Sequence, residues 1–468
     1  MRAAFALAVL ASCTPDEIRV RPILDLPAGD TDADAFAMID EIELAVARAG
    51  SDDDIVTRRF ERGEPLELPG VPFGEDLVVH MTGYTGTTIS AYGRTCAFTT
   101  EPDELPEPHL FFARTVKHAR TALMPLARVG GRGVAFEGSA VLAGGKLGAT
   151  SVLEVERFDP TRGALVGIGR LSDREGSVQA TLGSQIVILG GQLGSDGASF
   201  IELLDGDGTV DNVESDRTAR IGMTATTLTD GRVIVIGGAA PGGSPVGMIT
   251  ELALAGPDLE VRDLRAVLAH PRSGHTATLL GGDIGAPVLI AGGVDATGAP
   301  VAIAELYKPL REELSDPLTF APPMVIPRRR HQAARMPDGS VLIIGGVDAA
   351  GAPVRQLELF TVDAGFDVVG TLPQTAGVVD MTVTVLADGR ILIAGGRTTE
   401  AGAATDTAHV ARLDVLDGSV DVVPTDRLSI ARAGHQAALL CDGTVMISGG
   451  TSLAEPAERY NPTEIGRR

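Results

Sequence analysis

The 468-residue chain contains no tryptophan and only four tyrosines. Flat apolar platforms for stacking on sugar faces are therefore scarce, which disfavours carbohydrate binding through aromatic side chains. Cysteine is also rare. Cys13, Cys96 and Cys441 lie far apart, with no Cys-x-x-Cys pair and no zinc spacing. Pairing Cys96 with Cys441 requires close docking of two separate regions, so both are read as unpaired. Positive charge is short as well: Lys and Arg number 39 against 62 Asp and Glu, a formal charge of −23. Such a surface repels phosphate backbones, which argues against nucleic acid as a partner and makes solubility the simple reading of the acidity. Beyond the N-terminus no apolar run reaches spanning length. Neither Gly-x-Ser-x-Gly nor His-Glu-x-x-His occurs. RVGGRG at 128–133 lacks the Lys-Ser/Thr and the helix that a phosphate cradle needs, and DGDGT at 205–209 reads as a turn.

What the chain does have is glycine, 58 residues, with 28 prolines. That abundance without a triplet period points to many tight turns and a β-rich protein, and the positive mean hydropathy argues for a packed core. The first residues, MRAAFALAVLASC, place one Arg before an apolar run too short to persist as a membrane helix. Leu10-Ala11-Ser12-Cys13 looks like a bacterial lipobox. That resemblance implies a signal peptide over 1–13, lipidation of Cys13 and an envelope protein anchored in the membrane by lipid alone, at the outer membrane or cell surface.

Residues 18–105 have their own texture. EIELAVARA (41–49), IVTRRFERG (55–63), DLVVHMTGYTG (76–86) and TTISAYGRTCAFTT (87–100) read as short strands between Gly, Pro and Asp clusters. They predict a small β-sandwich, immunoglobulin-like in pattern. EPDELPEPH (101–109) reads as a stiff linker or boundary. Asp30, Asp32, Asp34 and Glu41 have the spacing of a calcium loop, but Ala35 stands where the turn wants Gly, and a solvated acidic loop is the reading taken.

From residue 129 onward four apolar residues run repeatedly into a Gly-Gly pair: AVLAGG, IVILGG, VIVIGG, VLIAGG, VLIIGG, ILIAGG and VMISGG. The pairs are Gly144–Gly145, Gly190–Gly191, Gly237–Gly238, Gly292–Gly293, Gly345–Gly346, Gly395–Gly396 and Gly449–Gly450, with spacings of 46, 47, 55, 53, 50 and 54. Asp-Gly turns (TDGRV, PDGSV, ADGRI, CDGTV) precede several of them, as tight hairpins require. A further strand follows each pair, as in SFIELL and QLELF, and then a more polar one, as in DVVPTDRL. The pattern resembles the kelch repeat, a four-stranded blade of a β-propeller. The resemblance implies an all-β fold: a seven-bladed kelch-type β-propeller over 106–468, of the galactose oxidase-like superfamily, behind the small sandwich. After Gly450 the chain supplies one strand too few. The segment VKHARTALMPL (116–126) is therefore expected to complete the last blade.

Aligning the units places Met223, His275, His331, Met381 and His435 at one position. Three imidazoles on inner strands suggest zinc or copper, but alternation with Met marks a repeated packing site, and no metal or cofactor is assigned. Arg220, Arg272, Arg328 and Arg432 recur three residues earlier, and Glu202, Glu251, Glu305, Glu358 and Glu458 recur after the glycines. They suggest ion pairs that fix register. Alternatively, together with Arg329 and Arg330, the arginines form a rim that receives a carboxylate or an acidic peptide. The expectation is a non-catalytic binding or scaffold module for a protein or other envelope ligand. The alternative is a propeller that binds or acts on acidic sugars of sialic-acid type, or a copper oxidase of galactose oxidase type built on Tyr307, Tyr460 and Cys441.

Overall fold

The computed structural model describes residues 17–462 except 29–34, 38, 52, 62–63, 65, 67, 102–104, 161, 310–316, 415 and 452. Cys13 and the acidic positions Asp30, Asp32 and Asp34 lie outside the described residues. Regular structure among the described residues is entirely β. The chain divides into two units at the Thr115–Val116 peptide.

In the leading unit, the strands Glu41–Arg48, Asp54–Phe60, Gly74–Thr85, Thr88–Arg94, Phe98–Thr100 and Ala113–Arg114 form one six-stranded sheet. Alternation in Glu41–Arg48 buries Ile42, Leu44 and Val46, which pack with Leu77, Val79, Met81 and Phe112. His109–Phe111 runs parallel to Ile23–Asp25, so the Pro-rich stretch before it ends within this unit. Cys96 is disulfide-bonded, which corrects the reading of it as a thiol.

The second unit is a succession of four-stranded antiparallel sheets, seven among the described residues. Sheet 3 shows the plan: Thr224–Thr227, Val233–Ile236, Met248–Ala255 and Asp258–Val267, each paired to the next. The second strand of every sheet is apolar on both sides, because each face packs against a neighbouring sheet. Val233, Ile234, Val235 and Ile236 are all fully buried, Val233 and Val235 toward the preceding sheet, whose first strand is Val178–Leu182, and Ile234 and Ile236 toward the following one, whose first strand is Thr276–Leu279. The first strands, beginning at Arg132, Val178, Thr224, Thr276, Gln332, Thr382 and His435, touch in sequence, and the last touches the first. This closed ring of stacked sheets is β-propeller-like, and it leaves few exposed edges.

The seventh sheet is completed from far upstream. Lys117–Arg120 pairs with Glu458–Asn461, with Ala119 opposite Arg459. The strand falls within the segment 116–126 that the sequence offered for it. Cys441, in the hairpin turn of this sheet, is also disulfide-bonded and not a thiol.

Candidate functional site

The Gly-Gly pairs are the hinge points of the ring. Both glycines of every pair have positive φ, for example 57° and 91° at Gly190 and Gly191. The second glycine donates its N–H to the next sheet's entry loop: Gly191 to the Arg220 carbonyl, Gly238 to Arg272, Gly396 to Arg432, and Gly450 to Arg128 across the closure. A Cβ at Gly190 would stand 2.4 Å from that Arg220 carbonyl. Glycine is therefore demanded by backbone conformation and by close approach together.

The recurring arginines are structural. Arg128, Arg174, Arg272, Arg328 and Arg432 are buried and pair with Glu156, Glu202, Glu305, Glu358 and Glu458. Each also donates to the carbonyl of its own sheet's first glycine, as Arg432 does to Gly449 at 2.7 Å. The same carboxylates accept entry-loop amides, such as Ser429 N–H on Glu458 at 2.6 Å. Arg220 holds its place with Thr250 Oγ1, which in turn donates to Asp263. Its pKa falls to about 10, chiefly by burial, so it stays charged at neutral pH. The rim reading is corrected for Arg220, Arg272, Arg328 and Arg432. A guanidinium sealed from water and engaged by a carboxylate or carbonyls cannot meet an outside ligand. The sequence series missed Arg128 and Arg174, both 16 residues before their glycine.

The repeated Met/His column packs as well. His275, His331 and His435 are buried, and each Nε2 lies 2.8–3.1 Å from a threonine of the preceding sheet. Their rings cover the preceding sheet's first glycine, with the pKa of each pushed down to about 3, first by burial. They are neutral fillers equivalent to Met223 and Met381. Among the described residues no cluster of His, Cys, Asp or Glu is disposed to hold a metal ion. The copper oxidase reading is corrected too: Cys441 is consumed in a disulfide, and the Tyr307 and Tyr460 rings are fully buried.

One place departs from the repeat. The residue just before the Met/His column is left-handed in all seven sheets. It is glycine in five: Gly130, Gly176, Gly222, Gly274 and Gly434. The other two are Arg330, at φ 58°, and Asp380, at φ 56°. Left-handed non-glycine residues are costly and cluster where function holds them. These two are neighbours, with Arg330 on Asp380 at 2.6 Å. Arg329 grips Glu400 with both terminal nitrogens, at 2.5 and 2.9 Å, and Arg330 adds a contact to Glu400 at 3.1 Å. Arg397 reaches Asp380 at 3.4 Å. All five side chains are 30–39% exposed. Arg329 and Arg330 thus remain accessible, unlike the other predicted rim arginines. The sixth sheet, which carries Asp380 and Glu400, has also lost the buried pair: His409 occupies the Glu position, and Val378 is the residue whose carbonyl receives the Gly346 amide. Asp380, Arg397 and Glu400 were not found from sequence. The break in the glycine column was legible there and would have located Asp380.

No family model matches the sequence, and no curated protein matches it. Among solved structures the chain is similar to one titled "Structure of YjhT", with 13% identity, 61% of this chain and 93% of that chain covered, and a TM-score of 0.46. The fold and site define the class directly: an all-β, β-propeller-like protein.

Proposed function

We propose that the chain is an envelope-anchored binding module. In this reading residues 1–13 are a lipoprotein signal peptide and Cys13 carries the lipid. The leading unit, read as 18–105 and extending to the Thr115 boundary, is an immunoglobulin-like sandwich. The remainder, read as 106–468, is a seven-bladed kelch-type propeller that presents its Gly-Gly-side loops to a protein or another envelope ligand. The closed ring of seven first strands supports the blade count. The observation that carries the binding role is the pair Arg330 and Asp380, held left-handed where five equivalent residues are glycine. Folding alone favours glycine there, so binding is the reason offered for the exceptions. A second reading, an acidic-sugar ligand, draws on the same half-exposed Arg329 and Arg330, whose forked guanidiniums suit a carboxylate.

Two experiments test this. Labelled fatty acid is expected to enter the wild-type protein in a bacterial host and not Cys13→Ser, and equal labelling overturns the anchor. A photo-crosslinking residue at Ala349, in a Gly-Gly-side loop, is expected to trap a surface partner. The same group at Asp388, in a hairpin turn, is not. Trapping from Asp388 alone overturns the choice of face.

A further inference from the structure

Glu400 occupies its place as a ligand would. Its loop, residues 397–407, is the longest of the seven connections that follow a Gly-Gly pair. The loop turns on itself, with Gly402 N–H on the Thr399 carbonyl and Arg397 donating to the Gly402 carbonyl at 2.6 Å. Glu400 points from this turn into the fork of Arg329 and onto Arg330. Its carboxyl is held below the usual glutamate range, first by the hydrogen bond from Arg329. Three guanidiniums (Arg329, Arg330, Arg397) face two carboxylates (Asp380, Glu400) here. Withdrawing Glu400 leaves three against one, a cationic spot on a chain of formal charge −23.

We propose that Arg329 and Arg330 form a carboxylate-binding subsite for an acidic peptide segment, and that Glu400 is a built-in competitor that fills it until a partner's acidic side chain displaces it. The assignment rests on the binding-module reading and names its ligand class. A peptide is chosen because the present occupant is one: a glutamate side chain on a short turn flanked by small residues, TTEAGAA. A tethered competitor acts at an effective concentration on the order of millimolar. Removing its charge therefore strengthens outside binding without adding a contact.

The test uses the full mature chain and a synthetic TTEAGAA peptide, with TTQAGAA as control, followed by calorimetry at low salt. Glu400→Gln is expected to bind the Glu peptide about tenfold or more tightly than wild type, and to ignore the Gln peptide. Arg330→Gly in the Glu400→Gln background is expected to abolish the gain while the protein stays folded, since glycine suits that backbone. No gain in Glu400→Gln overturns the proposal and leaves Glu400 a loop staple. Binding of N-acetylneuraminate, but not peptide, by Glu400→Gln overturns the ligand class. If crosslinking from Ala349 succeeds unchanged while the peptide fails, this subsite fails and the binding face stands.

Discussion

Two kinds of arginine differ first in burial. Arg328 and its partner Glu358 are both fully enclosed, so Arg328→Ala strands a charge and is expected to cost on the order of 3–5 kcal/mol in urea unfolding. Arg330 is half-exposed and left-handed. Arg330→Gly loses surface ion pairs worth about 0–1 kcal/mol and relieves about 1 kcal/mol or more of backbone strain. Its melting temperature is expected to hold or rise, even as binding is lost. Histidine acts through proton linkage. His275, His331 and His435 have pKa values near 3 in the fold, below the ordinary imidazole value of 6.5. The unfolded chain thus binds more protons between those limits. The stability that neutral burial contributes is complete above 6.5 and is lost as pH falls toward 3. His275→Met, which copies Met223 and Met381, is expected to shift the acid-unfolding midpoint to lower pH. An unmoved midpoint means that another group sets it. Of these roles the sequence disclosed the recurrence of Arg and His but not their burial. The contact of Arg329 with Glu400 spans 71 residues, a separation that spacing within one repeat cannot reveal.

At the scale of elements, the repeat was legible because three signals coincide in each unit: a four-residue apolar strand, a Gly-Gly pair and a hairpin turn. The second strands Val341–Ile344 and Ile391–Ala394 fall on VLII and ILIA as read. The entry loops were not legible. Their length before the first glycine varies, and the glycine column within them is only one residue wide. The Gly-Gly pairs also differ in tolerance. Gly190→Ala drives a methyl into Met223 and two carbonyls of the next sheet and holds alanine at positive φ. It is expected to destabilise by about 3 kcal/mol or more. Gly144→Ala meets nothing within 4 Å and is expected to cost only the conformational penalty of about 1 kcal/mol. Equal losses in denaturant titrations would show that close approach between sheets is not what selects glycine.

For the second unit as a whole, the decisive contact is the ladder of Lys117–Arg120 on Glu458–Asn461. Ala119 is buried in it, and Ala119→Asp is expected to loosen the seventh sheet first. Hydrogen exchange should then quicken in His435–Leu439 and Val445–Gly449 before Val233–Ile236. Uniform quickening would mean that the ring opens everywhere at once. The same ladder sets a timetable for biosynthesis. Residue 117 leaves the ribosome more than three hundred residues ahead of its partner, so the nascent chain is an open arc until its last strand emerges. Until then that arc carries a bare edge at one end and a waiting strand at the other. A chain that stops short of Glu458 cannot close this sheet, and the unpaired edge of Val445–Gly449 is then open to pairing with other chains.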